Sequence, residues 1–364
     1  MLRTSVFPSR YLQGQGAIER LDAELSTFGA RAACLVDPAV QGFIQPVIER
    51  LSDVAAAIRI ADGACTLSAI ADTCEWAAST GADMLVALGG GKVIDTGRAA
   101  ADELGLPFIC VPTIAASDAP CSGLAVIYDN QGRVVEDRFV RRNPALVLVD
   151  TQILVRAPVR FFISGIGDAL ATWYEADACR QSGAGNLCGG RGTSLAYTAA
   201  GLCRDTLLAH GVQAVQDCRA QRVTTDFEEA IEACVLLSGL GFESGGVGAA
   251  HAIHHGLADL PQTHEALHGE KVAIGLLTSL FLSQRSLDER LQLFAFCRDT
   301  GLPVTLAQVG VDVGSEEQLV VIAQRACRSG EIIHNEPYVV TWQAVVSALR
   351  AMDQFGRETL SRSL

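Results

Sequence analysis

The segment MLVALGGGKVIDTGRAAADELGLPFICVP (residues 84–112) decides the fold. MLVAL (84–88) is an apolar run of strand length. Gly89, Gly90 and Gly91 follow, the next stretch opens a helix, and PFICV (107–111) is a second apolar run. Near-continuous runs of this kind belong to strands buried on both faces of a parallel sheet, which need a crossover between them. AACLV (32–36), AAIRI (56–60) and ALVLVD (145–150) repeat the signal. Helical spacing flanks the first of them, at Ala17–Leu25 and Phe43–Leu51. Strand–helix alternation predicts a doubly wound α/β domain.

The texture changes after residue 150. Long helical patterns follow, among them Asp168–Arg180, Phe227–Leu240, Glu270–Leu282 and Glu317–Ala326. A glycine-rich loop, SGAGNLCGGRGTS (182–194), interrupts them. A boundary near Pro158 is expected. It gives an α/β domain over 1–158 and an all-helical domain over 159–364, with ligand expected in the cleft between them.

A chain of 364 residues is long for one core, so two domains are expected. A net charge of −13 argues against nucleic acid and against anionic membrane surfaces as partners. No apolar stretch is long enough for a transmembrane helix, and MLRTSVFPSRYLQG lacks the apolar core of a signal peptide. The 12 cysteines are scattered through apolar segments without a CxxC, and read as small buried hydrophobes. The expected location is cytoplasmic.

The glycine turn sits between a buried strand and a helix. Glycines there let backbone approach a ligand, and the helix N-terminus offers free N–H groups to an anion such as a diphosphate. A tight turn that binds nothing is the alternative. Lys92 and Asp95 favour a ligand, since both are polar where it would approach. Asp37 ends the run ACLVD. An acid there can accept from ribose hydroxyls and repel a 2′-phosphate, favouring NAD over NADP. It can equally cap the turn before Pro38. VPTIAASDAPCSGLAVIY (111–128) reads as a loop of small and hydroxyl residues, in which Asp118 is the only charge before Tyr128. By itself Asp118 is a turn residue.

Asp168, His251 and His268 form the second candidate site. One carboxylate and two imidazoles can hold a divalent ion and leave a coordination position open, as catalytic zinc sites do. Asp168 follows Gly165 and Gly167 and reads as the start of a helix, where capping is its alternative role. His251 and His254 lie three apart, on one helical face. Five of the seven histidines fall within residues 251–268. His264 is a competing ligand, but it sits in the polar stretch PQTHE.

GGGKVIDT, VPTIAASDAPCSGLAVIY, GIGDALATWYEA, GAAHAIHHGL and HGEKVAIG occur in order along the whole chain. Together they resemble the glycerol dehydrogenases of the iron-containing (group III) alcohol dehydrogenase superfamily. The resemblance implies a Rossmann-like NAD domain, a helical domain and zinc held by Asp168, His251 and His268. It implies NAD contacts at Asp37, at Gly90, Gly91, Lys92 and Asp95, and at Thr113, Ala116, Ser122, Leu124 and Tyr128. It makes Asp118 a substrate-holding residue, and it implies a homo-oligomer, often an octamer.

Three departures stand out. Ala116 replaces a serine of the family loop. Ala266-Leu267 replaces an aromatic pair, and His255 an asparagine. Iron-dependent relatives carry a histidine four residues after the aspartate. Thr172 stands there, which favours zinc. The expected reaction is hydride transfer from a vicinal diol to NAD, with zinc as Lewis acid and His254 a candidate proton relay. Glycerol-1-phosphate dehydrogenases and dehydroquinate-synthase-type enzymes are alternatives, but they need clustered basic residues for a phosphate, and only Lys271 lies near the metal motifs. A non-catalytic NAD- or metal-binding relative is a third reading.

Overall fold

The structure is a computed structural model that describes residues 2–361. One compact unit comprises Phe7–Pro158 and Cys218–Thr224; the other described residues form a second.

The α/β unit contains β1 (Tyr11–Gly14), β2 (Arg31–Val36), β3 (Ala55–Ile60), β4 (Met84–Gly89), β5 (Phe108–Pro112), β6 (Leu124–Tyr128), β7 (Val134–Phe139) and β8 (Leu146–Asp150). Its helices are α1 (Leu21–Leu25), α2 (Gln41–Ile48), α3 (Leu67–Ser79), α4 (Gly91–Leu104) and α5 (Thr151–Leu154). Six strands form a parallel sheet in the order β1-β8-β5-β4-β2-β3. The register places Cys34 beside Val86, and Val86 beside Ile109. One face of the sheet buries Val36, Val86, Leu88, Ile109 and Leu148 against Leu21, Leu25 and Ile44. Each fully buried aliphatic side chain of this kind contributes roughly 1.5–3 kcal/mol.

The chain runs from β2 outward to β3, then returns to β4 on the other side of β2. The sheet therefore reverses its winding between β2 and β4. Ligands of open α/β sheets bind at the carboxyl ends of the strands at such a switch point. Asp37 follows β2, and the glycine turn follows β4.

Two expectations need correction here. AAIRI (56–60) is not buried on both faces: β3 is an edge strand, and its residues are half-buried, because only β2 lies beside it. Nor is the segment 111–128 wholly a loop. Its last five residues form β6, which pairs antiparallel with the polar, exposed strand β7.

The second unit contains α6 (Val159–Ser182), α7 (Ser194–Arg219), α8 (Thr225–Glu232), α9 (Ser238–Gly245), α10 (Ala249–Ala258), α11 (His268–Leu282), α12 (Leu287–Thr300), α13 (Glu316–Ala326) and α14 (Trp342–Ser361). A π-turn over Ala233–Leu237 joins α8 to α9. α11 packs against α6, α10 and α14. Glycine permits these approaches. A Cβ on Gly269 would lie 1.8 Å from the Ser164 carbonyl oxygen of α6, and one on Gly275 would lie 2.1 Å from the Ala250 carbonyl oxygen of α10. Asp168 does not start a helix as expected. It lies well inside α6, which begins at Val159, since Gly165 and Gly167 continue the helix. All 12 cysteines are free thiols, and all but Cys74, Cys188 and Cys327 are buried. No single helix among the described residues is long and apolar enough to cross a membrane.

Candidate functional site

In the helical unit, α6, α10 and α11 bring Asp168, His251 and His268 together, with one ligand atom from each within 4.8 Å of the others. Asp168 Oδ1 lies 3.4 Å from His251 Nε2 and 3.1 Å from His268 Nε2. The Asp168 side chain is 1% exposed, whereas that of His268 is 42% exposed, so the group opens on the His268 side. Burial pushes the Asp168 carboxyl up. The imidazoles of His268 and His251 outweigh this and hold it well below the usual carboxylate range. Three donors of mixed oxygen and nitrogen type, one deeply buried and one at the surface, suit a metal ion with an open position.

Glu175, which the motif reading did not single out, orients His251. It lies two turns beyond Asp168 on the same face of α6. His251 Nδ1 donates to Glu175 Oε2 at 2.6 Å, which leaves Nε2 directed at Asp168. Glu175 Oε1 also accepts from the backbone N–H groups of Gly248 and His251, both at 2.9 Å. Glu336 accepts from the N–H of Ala249 at 3.0 Å. Two carboxylates thus cap the N-terminus of α10. A carboxylate behind a ligating imidazole fixes its tautomer and ring orientation. Burial pulls the His251 imidazole down, but Glu175 and Asp168 overcome it and hold it well above its ordinary value. The one available signal was the seven-residue spacing of Asp168 and Glu175.

The other histidines divide. His254 Nε2 lies 3.2 Å from His268 Nδ1. Burial, then the charges of His268, His255 and His251, push the His254 imidazole well below its ordinary value. His255 turns away to Glu331, 3.1 Å from Nδ1. His264 is exposed and outside the cluster. The Thr172 hydroxyl is 2.9 Å from that of Ser238, so the position four residues after Asp168 is engaged with α9.

In the α/β unit the three glycines have different tasks. A Cβ on Gly89 would sit 2.7 Å from Asp37 Cβ, and one on Gly90 would sit 2.9 Å from Ile114 Cδ1. Gly91 has nothing within 4 Å. The first two glycines let the turn close, and the third faces open space at the start of α4. Lys92 is exposed beside it. Asp37 accepts from the Ala39 N–H at 2.9 Å and stands 3.5 Å from the Gly90 N–H.

Asp95 points inward. It accepts from Arg98 Nη1 at 2.7 Å and from the Val126 N–H at 3.2 Å. Burial raises its carboxyl to about 6 against the pull of Arg98. Thr113 is buried and donates its N–H to the Gly89 carbonyl at 3.0 Å. Ala116 is half-buried beyond it. Asp118 and Ser122 are buried, and Leu124 and Tyr128 begin and end β6. Burial pushes the Tyr128 hydroxyl up to about 12.

Residues 8–151 match the iron-containing alcohol dehydrogenase family. A glycerol dehydrogenase of Thermotoga maritima is 46% identical over 98% of each chain. A glycolaldehyde reductase of Halobacterium salinarum is 41% identical over 99% of this chain and 100% of its own. The crystal structure of a probable glycerol dehydrogenase from Sinorhizobium meliloti superimposes with a TM-score of 0.92 at 39% identity, covering 98% of this chain and 100% of that one. On these likenesses the chain belongs to the glycerol dehydrogenases of the iron-containing alcohol dehydrogenase family and is an alcohol oxidoreductase.

Proposed function

We propose that the protein oxidises glycerol, or a related vicinal diol or amino alcohol, to the corresponding ketone, with NAD as hydride acceptor and zinc as the resident metal. The observation that carries this reading is the convergence of Asp168, His251 and His268, with His251 fixed from behind by Glu175. Asp168, His251 and His268 are the proposed zinc ligands. The Thr172 hydroxyl, paired with Ser238, adds no fourth donor, and three protein ligands suit catalytic zinc. Bound zinc supplies Lewis acidity toward a substrate hydroxyl, and bound NAD supplies the acceptor carbon.

The chain's own residues bind and orient. The N-terminus of α4, with Gly90, Gly91 and Lys92, takes the diphosphate. Asp37 takes the adenosine ribose and selects against a 2′-phosphate. Asp95, Thr113, Ala116, Ser122, Leu124 and Tyr128 shape the remaining cofactor contacts, and Asp118 accepts from the substrate's hydroxyls. His254, whose Nε2 lies 3.2 Å from His268 Nδ1, is the proposed proton relay. The protein is further proposed to work as a homo-oligomer in the cytoplasm, its charge of −13 keeping it from nucleic acid and anionic membranes.

A substrate panel followed at the NADH absorbance tests this: glycerol, 1,2-propanediol, 2,3-butanediol, 1-amino-2-propanol and the glycerol phosphates. Free diols or amino alcohols should turn over and the phosphates should not. Asp168→Asn and His268→Ala should abolish turnover while NAD still binds. Full activity in metal-stripped protein overturns the metal role.

A further inference from the structure

Arg98 lies inside α4 and is 1% exposed. A guanidinium is costly to remove from water, so a buried one demands partners for its donors. Nη1 donates to Asp95 Oδ1 at 2.7 Å and also to the carbonyl of Leu124. Nη2 donates to the carbonyl of Ala119. The guanidinium sits 5.6 Å from the centroid of the Phe108 ring.

The two carbonyls bracket one short segment. Ala119 directly follows Asp118 and opens a 3-10 turn over Ala119–Cys121; Leu124 begins β6. The other oxygen of Asp95 accepts from Val126 in β6. The segment between holds the small residues Ala119, Ser122 and Gly123, which have little side chain with which to pack themselves into one shape. Arg98 and Asp95 hold it from α4, the helix whose first residue is Gly91, while the Asn143 amide donates to the Cys121 carbonyl at 3.0 Å and the Val140 N–H to the Gly123 carbonyl at 2.8 Å.

We propose that Arg98 is the positioning residue for the Asp118 segment. A single side chain ties the Ala119 and Leu124 carbonyls to α4, and so sets where Asp118 and the Ser122–Leu124 backbone stand relative to the glycine turn. It acts through Asp118 and touches no substrate. A lysine would keep the charge but lacks the planar fork that reaches two carbonyls and a carboxylate at once. The inference rests on the reading of Asp118 as the substrate-holding residue.

The test uses the full-length, metal- and NAD-loaded enzyme with Arg98→Lys, Arg98→Met and Asp118→Asn. Arg98→Lys should speed amide exchange over residues 113–128 and raise the KM for glycerol about tenfold, more than it lowers kcat. Its metal content and far-UV circular dichroism should match the wild type, since the metal triad lies in the other unit. Arg98→Met should act in the same direction and more strongly; should it fail to fold, the lysine variant decides alone. Wild-type exchange over 113–128 in Arg98→Lys overturns the proposal. So does faster exchange with an unchanged glycerol KM, where Asp118→Asn raises that KM. Faster exchange in Arg98→Lys together with a wild-type KM in Asp118→Asn sinks the Asp118 reading and leaves Arg98 as the anchor of the segment.

Discussion

Glu175 Oε2 accepts the Nδ1 proton of His251 at 2.6 Å, and the same carboxylate caps two backbone N–H groups at the start of α10. One side chain therefore sets both the ring and the helix that carries it. Glu175→Gln keeps the shape but loses the charge behind the imidazole. Zinc affinity, measured by competition with a chromophoric chelator, should fall about tenfold to a hundredfold. Circular dichroism should stay unchanged. Glu175→Ala should also destabilise the fold by about 1–3 kcal/mol for each N–H left unpaired.

Gly269→Ala places a methyl group 1.8 Å from the Ser164 carbonyl oxygen. Backbone cannot yield there as the end of a side chain would, so α11 must move off α6. Denaturant unfolding should show a loss of about 3 kcal/mol. Zinc stoichiometry should drop as well, because His268 is the residue just before this contact. Wild-type stability in this variant would mean that the two helices are not packed through Gly269.

The Asp95 carboxyl is raised from 3.8 to about 6 by burial, with Arg98 the main opposing charge and Asp137 adding to the rise. A folded pKa above the unfolded one means that the folded state holds the proton longer. This contribution is present below pH 3.8 and is lost as pH rises toward 6. Relative to Asp95→Asn, which does not titrate, the wild type should lose about 3 kcal/mol between those pH values. Parallel stability–pH curves for the two proteins would contradict this.

Asp37 stands at the end of β2, on the switch-point side of the sheet, within 3.5 Å of the Gly90 N–H. Asp37→Asn keeps a side-chain oxygen for the Ala39 N–H and removes the charge. The ratio of kcat/KM for NADP to that for NAD should rise about tenfold or more. An unchanged ratio would remove Asp37 from cofactor selection.

The fold was largely legible because burial on both faces makes a strand apolar throughout. MLVAL, PFICV and ALVLVD declare β4, β5 and β8 in this way. β3 misled because an edge strand can be apolar in sequence and half-exposed in space. β7 escaped notice because VVEDRF has no buried face to pattern it. In the site, the histidine cluster drew attention to His251 and His268. Glu175 and Arg98 did not stand out, since a carboxylate or a guanidinium within a helix reads as surface until its partners are known.

Local periodicity and local chemistry were enough to read the α/β alternation, the glycine turn before α4 and the residue types of the candidate metal group from the chain. Tertiary structure alone decided which of the crowded histidines meet Asp168, and that Glu175 stands behind one of them. It alone turned Asp95 and Arg98 inward. The reason is physical: the meeting of residues 168, 251 and 268 depends on how closely α6, α10 and α11 approach. That distance is set at Gly269 and Gly275 by what a missing Cβ allows across the chain.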